Sequence, residues 1–314
     1  MKKIFLSFGL AVSLFACKKE TPANAPGGQP ADTSSTSLID YNKDITIANW
    51  NIEWFGYASQ FNGDLDEQEA NAGKILKYLD ADLYGLCEIA DTARFGRMVR
   101  SNLSNEYKYV ISFYTSGAQK LAFVYNKNIF RKVSVRPFMG VSANAYYNFG
   151  YRYPYILTAE VAVNATKNVV SFILIHAKAD ADAASYTRRL DGAAEMKDSL
   201  DTYYGNKSFI VMGDYNDNLD KSITTGKPTP YQDFLNDSAR YNAITLPLNI
   251  PGNQSTLSYA NSVIDQQMVS STMTKWLVTS SVKIRTDVTT VVADYTSGNT
   301  SDHYPVTSVY HITD

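Results

Sequence analysis

Five short segments place polar side chains of catalytic type at the ends of apolar runs. They are Asn49-Trp50-Asn51-Ile52-Glu53-Trp54-Phe55-Gly56, Gly85-Leu86-Cys87-Glu88, Leu174-Ile175-His176-Ala177-Lys178, Val211-Met212-Gly213-Asp214-Tyr215-Asn216 and Ser301-Asp302-His303-Tyr304-Pro305-Val306. Strand ends and the loops beyond them are where a rigid scaffold usually carries its chemistry. Glu88 and Asp302 offer hard oxygen donors, which suit magnesium, manganese or calcium. The chain has only three histidines. His176 and His303 end apolar runs beside a lysine or an acid, whereas His311 falls in the last strand-like run and reads as structural. No group of cysteines and histidines has zinc spacing. These residue types fit phosphoester hydrolysis. A metal held by Glu88 neutralises the non-bridging oxygens as a Lewis acid. Asp214 can take a proton from water, and His303, or a metal-bound water, can assist the leaving oxygen. Water attacks directly, so no protein nucleophile is required.

Taken singly, each segment also has a structural explanation. Asn51 can close a strand, Glu88 can cap a helix, and Gly-Asp-Tyr-Asn can be a turn held by local hydrogen bonds. His176 can be a satisfied core histidine and Asp302-His303 an exposed loop pair. The set, in this order, resembles the endonuclease/exonuclease/phosphatase superfamily, which includes deoxyribonuclease I, abasic-site exonucleases, neutral sphingomyelinases and inositol-polyphosphate phosphatases. The resemblance covers nearly all of residues 44–312. Gly-Asp-Tyr-Asn and Ser-Asp-His-Tyr-Pro-Val are its most specific parts, and Asn-Ile-Glu-Trp-Phe-Gly is typical of bacterial members.

The resemblance implies an α+β, four-layer α/β/β/α sandwich of two mostly antiparallel sheets, with the site at one edge. It also implies roles. Asn51 and Glu88 would sit at the principal metal with Asp302 close by, and Glu53 matches a further metal-site acid of some relatives. Asp214 and Asn216 would orient the attacking water and stabilise the transition state. His303 would bind a phosphate oxygen or act as acid/base, with Asp265 as the acid that orients it and fixes its tautomer. His176 would be the second phosphate-contacting histidine, and Arg152 resembles a strand-entry arginine that reaches phosphate. Lys178 could touch phosphate or be a solvated surface lysine. One departure stands out: where the nuclease branch often has a glutamate paired with the first histidine, an approximate alignment puts Gln119.

Hydrophobic periodicity supplies the elements that must hold these residues. Strands are expected at 45–51, 83–88, 107–114, 121–126, 154–163, 168–176, 208–213, 264–269 and 304–311. Helices are expected at 67–80, 92–103 and 183–204. No internal repeat or later linker is visible, so one domain over 44–314 is expected.

At 314 residues the chain can bury a sizeable core. Its 23 tyrosines favour strands. A formal charge of −2 excludes a protein that coats nucleic acid by basic excess alone. It does not exclude a nuclease, because bound metal supplies local positive charge. Lys2 and Lys3 precede an apolar run from Ile4 to Phe15 that is too short to span a bilayer. Leu14-Phe15-Ala16-Cys17 then resembles a bacterial lipobox, the alternative being an ordinary signal peptide with a chance cysteine. The expected organisation is a signal peptide over 1–16, a lipidated Cys17 with a flexible tether to residue 43, and the enzyme domain. Residues 18–40, rich in Pro, Ala, Gly, Ser and Thr, carry too few large apolar side chains to order. Cys87 is then the only other cysteine, which rules out an intrachain disulfide, and it reads as a small buried hydrophobe.

Three functions follow in order of preference. The first is a metal-dependent endonuclease of the cell envelope or outer membrane, using Mg2+ (or Mn2+ or Ca2+), acting as a monomer and anchored by Cys17. The second is a sphingomyelinase-like or small-molecule phosphodiesterase or phosphatase, to which the aromatic segment 138–151 could contribute a membrane-facing loop. The third is a binding module that has kept only the fold.

Overall fold

The computed structural model describes residues 41–113 and 117–314. The expected signal peptide, Cys17 and almost all of the tether lie outside them. Two six-stranded sheets pack face to face, with helices on their outer surfaces. The first contains β1 (Ile45–Phe55), β2 (Leu83–Ile89), β3 (Tyr107–Ile111), β4 (Lys120–Asn126), β11 (Lys283–Ile284) and β12 (Val306–Tyr310), in the order β11-β12-β1-β2-β4-β3. The second contains β5 (Phe130–Pro137), β6 (Tyr155–Val163), β7 (Thr166–His176), β8 (Ser208–Asp214), β9 (Tyr241–Asn242) and β10 (Asp265–Ser270), in the order β5-β6-β7-β8-β10-β9. Each sheet has one parallel pair, β1/β2 and β7/β8, flanked by antiparallel neighbours. The expected four-layer sandwich is present.

Each parallel pair needs a helical crossover. The helix α1 (Leu65–Leu79) joins β1 to β2, and α4 (Ala183–Tyr204) joins β7 to β8; α2 (Thr92–Asn102) packs beside α1. All three helices start in the same way. Asp64, Asp91 and Asp182 are extended N-caps whose carboxylates accept from two backbone N–H groups of the first turn. Such a cap stabilises a helix by about 1 kcal/mol. The first two helices bury Ile75, Leu76, Leu79, Phe95, Met98 and Val99 against Tyr84 and Leu86 of β2. The third buries Ala193, Met196, Leu200 and Tyr204 against Phe209 and Val211 of β8.

Strand parity then decides what faces the space between the sheets. Ile45 and Ile47, Phe172 and Leu174, and Ile210 and Met212 fill that space. Two residues further along these strands stand Asn49, His176 and Asp214, and Asn51 follows two residues after Asn49. The apolar packing between the sheets therefore continues directly into a polar cluster at one edge. Cys87 is fully buried there, and its thiol donates to the Ile175 carbonyl of the opposite sheet at 3.5 Å.

Most expected elements are present within a residue or two. The strand expected at 107–114 is described only to Ile111, and β1 extends four residues beyond its expected end. The strand β5 and the short helix α3 (Ala143–Asn148) were not anticipated. The first alternates buried and exposed residues through charged positions, and the second is too short for a helical period to register.

Candidate active site

The four central strand ends converge. Asp214 closes β8 and is 2% exposed. Its Oδ2 accepts from Asn51 Nδ2 at 3.0 Å and lies 3.6 Å from His176 Nε2 and 4.0 Å from His303 Nε2. Its Oδ1 accepts from the Asn216 N–H at 2.8 Å. The distances to the two imidazoles exceed a hydrogen bond, so the carboxylate stands between two rings without binding either. Gly213 makes this approach feasible. Its φ is +130°, and a Cβ there would fall 2.1 Å from the Ile175 carbonyl oxygen, so no other residue fits.

The two histidines sit in opposite electrostatic environments. His303 Nδ1 bonds Asp265 Oδ2 at 2.7 Å, and its Nε2 lies 3.6 Å from Asp302 Oδ1. Burial works against its charge, but Asp265, Asp302 and Asp214 outweigh burial and raise its pKa well above the usual value. Asp265 is fully buried, pairs with Asp214 across β10/β8, and also accepts from Ser255 Oγ at 2.8 Å. His176 is held neutral by burial, reinforced by the positive charges of Arg152, His303 and Lys178. Among the described residues its Nδ1 has no hydrogen-bond partner. Gln119, the residue expected to depart from the family pattern, accepts from Arg152 Nη1 at 2.7 Å. Only His303 therefore has a carboxylate hydrogen-bonded at Nδ1, whereas His176 Nε2 lies 3.6 Å from both Glu88 Oε1 and Asp214 Oδ2.

The end of the first sheet is acidic and conformationally strained. Glu88 has φ +65°, and Glu53 and Trp54 both have φ +46°. Non-glycine residues held in this region cost about 1–3 kcal/mol each and cluster at functional sites. The pairing of β1 with β2 shifts register between Asn51 and Phe55. The strain turns Glu88 out of the β2 alternation. Its Oε1 accepts from Asn51 Nδ2 at 3.1 Å and its Oε2 from the Trp54 N–H at 2.8 Å. The pKa of Glu53 is pushed up to about 7, first by burial and then by the charges of Asp302 and Glu88. One of its carboxylate oxygens is buried with no partner.

These features fit a divalent cation. The half-buried Glu53 carboxylate feels the charges of Asp302 and Glu88, and one of its oxygens lacks any donor among the described residues, a deficit that a hard cation satisfies. The tightest acid–histidine group among the described residues lies elsewhere. Donor atoms of Asp214, Asp265 and His303 fall within 4.8 Å of one another. Asp265 Oδ2 is engaged with His303 and Ser255, which suits this trio to holding a proton, although Asp265 Oδ1, like Glu53 Oε2, is buried with no partner among the described residues. Asn51 differs from a simple ligand. Its Nδ2 bridges Glu88 and Asp214, and its Oδ1 accepts from the Glu53 N–H, so it ties the acidic pocket to the base.

Other anticipated residues have partners of their own. Arg152 is buried and donates to the carbonyls of His176 and Ala177 as well as to Gln119. It therefore fixes the end of β7 with two of its N–H groups and holds Gln119 with a third. Lys178 pairs with Asp180 at 2.6 Å. The Asn216 amide braces the Ala177 carbonyl at 3.1 Å. Asp302 Oδ2 accepts from Ser258 Oγ at 2.6 Å.

Several supporting residues carry no motif. Ser255 also accepts from the N–H groups of Ile264 and Asp265. Ser301 Oγ donates to the Asn51 carbonyl and accepts from the His303 N–H. Buried Gln68 donates to the carbonyls of Ile52, Glu53 and Thr300 and accepts from the Gly56 N–H, which pins the strained loop. Arg189 and Asp217 form a fully buried ion pair at 2.9 Å. Arg189 also reaches the carbonyls of Lys178 and Asp180, clamping the loops after β7 and β8 together. Asp217 follows the Gly-Asp-Tyr-Asn motif directly, which was the one available signal for this clamp.

A profile described as the Endonuclease/Exonuclease/phosphatase family matches residues 57–293. Comparison with curated protein sequences finds no match. Solved structures share the fold. An endonuclease/exonuclease/phosphatase from Bacteroides vulgatus is 15% identical, with 87% of this chain and 100% of that chain covered and a TM-score of 0.59. An AP endonuclease from Archaeoglobus fulgidus is 13% identical, with 85% and 100% covered and a TM-score of 0.57. A mannosyl-6-phosphatase from Bacteroides thetaiotaomicron is 12% identical, with 85% and 100% covered and a TM-score of 0.54.

Proposed function

The chain belongs to the endonuclease/exonuclease/phosphatase family and is a hydrolase of phosphate ester bonds; on that premise we propose that it is a Mg2+-dependent phosphodiesterase that cleaves nucleic acid by direct attack of water. The observation that carries this reading is the placement of Asp214 between two histidines of opposite character, beside an acidic pocket. Asp214 takes the proton of the attacking water. Its pKa is raised by burial, which makes it a better base than an exposed carboxylate. His303, kept protonated by its acidic neighbours, donates to a phosphate oxygen or to the departing one. Neutral His176 contacts a second phosphate oxygen. Asn51 holds Asp214 and Glu88 in register, while Asn216 braces the turn. Glu88, Glu53 and Asp302 would hold the cation, which when bound neutralises phosphate charge; Mn2+ or Ca2+ could replace Mg2+.

The fold shared with an AP endonuclease supports a nucleic-acid substrate. The fold shared with a mannosyl-6-phosphatase supports a small phosphate ester as the second reading. The discriminating assay incubates the protein with supercoiled plasmid and Mg2+, alongside tubes containing excess chelator or the His303→Ala variant. Nicking that is lost in both controls is the expected result. A folded protein that does not nick DNA but hydrolyses sphingomyelin, inositol phosphates or mannose 6-phosphate would overturn the nuclease reading. We further propose that Cys17 anchors the chain in the cell envelope. Incorporation of labelled palmitate in the producing cells, absent from Cys17→Ser, is the corresponding test.

A further inference from the structure

An open cleft of about 270 Å³ adjoins the active site and is lined by Trp54, Gln119, Gly150, Tyr151 and Arg152, among others. None of its side chains is needed for the hydrolytic step described above, yet two of its walls are wired to that step. The Trp54 N–H holds Glu88, and Arg152 Nε holds the His176 carbonyl. Whatever fills the cleft is therefore a close neighbour of the scissile phosphate.

Two of its lining residues, Trp54 and Tyr151, are aromatic. Trp54 stacks on Tyr57 with ring centroids 5.7 Å apart and planes inclined by 28°. Tyr151 is 53% exposed although it packs edge-on against both Tyr146 and Tyr147, so one face is fixed and much of the ring remains open to a ligand. Its φ of +65° is an uncommon conformation for a bulky residue. Two guanidinium groups lie beside these rings, that of Arg152 committed to the carbonyls of His176 and Ala177 and to Gln119, and that of Arg188 over the tyrosines. Arg152 lines the cleft, and the Arg188 guanidinium lies 4.0 Å from the Tyr147 centroid and 5.2 Å from that of Tyr151. Rings that stack bases beside cations that track phosphates are the pattern by which proteins hold single-stranded nucleic acid. The volume lies below the roughly 300–1,000 Å³ of pockets for drug-sized ligands, which suits one ring system rather than a long chain.

We propose that this cleft binds the base of the nucleotide adjoining the scissile phosphate, making unpaired nucleotides the preferred substrate. The proposal rests on the phosphodiesterase reading and adds a base requirement to it. The test compares kcat/KM of the full protein on a single-stranded oligodeoxynucleotide and on a strand of the same length whose sugars all lack bases. The base-bearing strand is expected to be favoured by about 5- to 150-fold, the range that loss of one stacked base produces. Tyr151→Asn, which tolerates the positive φ, should bring the ratio towards one, as should Trp54→Leu; Tyr151→Phe should keep it. A variant whose circular dichroism matches the wild type and whose base-bearing preference is nevertheless retained would overturn the proposal. Equal wild-type cleavage of the two strands would refute the base site while leaving the phosphodiesterase reading standing. Cleavage of neither strand would bring down both.

Discussion

The two sheets use one topological device to make unlike ends. In each, a parallel pair joined by a helix runs to the same edge: β1-α1-β2 in the first, β7-α4-β8 in the second. The second pair stays in regular alternation, so His176 and Asp214 lie on the inter-sheet face simply by parity. The first pair breaks register and places Glu53, Trp54 and Glu88 in the left-handed region. On the function proposed above, the regular end would handle protons, and the strained end would gather carboxylates whose mutual repulsion a cation relieves. Their loops are also held differently, by a buried ion pair in the second half and by a neutral glutamine in the first.

The largest effect is expected where the regular end does its chemistry. Asp214→Asn keeps the shape of the side chain but removes the base. It should lower kcat by about 10²–10⁴-fold with circular dichroism unchanged; a loss under tenfold would move the base elsewhere. The two clamps should then separate by stability in urea titrations. Arg189→Ala leaves the Asp217 charge buried and unpaired and should cost about 3–5 kcal/mol. Gln68→Ala strands only neutral groups and should cost about 1–3 kcal/mol. The reverse order would contradict the contrast between ionic and neutral support.

At the strained end, Glu88→Gln should raise the Mg2+ concentration for half-maximal activity by roughly 10–100-fold, the range seen when supporting groups of metal sites are removed. Asp265→Asn should leave that concentration nearly unchanged, because it belongs to the proton-handling group. The smallest effect concerns pH. The Glu53 pKa is raised from 4.5 to about 7 in the folded chain. The folded state thus binds more protons between these values, and the metal-free protein loses stability as pH rises through that window. Mg2+ binds the deprotonated carboxylates, so its thermal stabilisation should grow from pH 5 to pH 8. A metal-induced shift in Tm that is flat across this range, or retained in Glu53→Gln, would remove Glu53 from the metal pocket.

How much of this could be read beforehand follows from the physics of each residue. Helix and strand periods located most elements, and the family motifs led to Asn51, His176, Asp214 and His303. For Asn51, His176 and Asp214, whose placement depends on parity, alternation with the apolar core was legible too. The orientation of Glu88 was not, because it depends on a backbone turn that pairing within the sheet imposes. Nor were the bridging role of the Asn51 amide and the engagement of Arg152 with backbone carbonyls, which arise from contacts between distant segments. Ser255 and Gln68 are ordinary polar residues in unremarkable stretches, and nothing local marks them. The repetition of the βαβ device in both sheets is equally invisible as a sequence repeat, because the halves share topology rather than side chains.

The burial of Cys87 gives the chain an internal clock. Its thiol is closed off between the sheets, and burial raises its pKa well above the ordinary range. Reactivity belongs to the thiolate, so an alkylating reagent meets an inert group while the sandwich is intact. Modification must wait for the two sheets to part. With Cys17 lipidated or replaced, the rate of labelling at Cys87 therefore counts openings of the layer that carries the catalytic strands, without any probe being introduced.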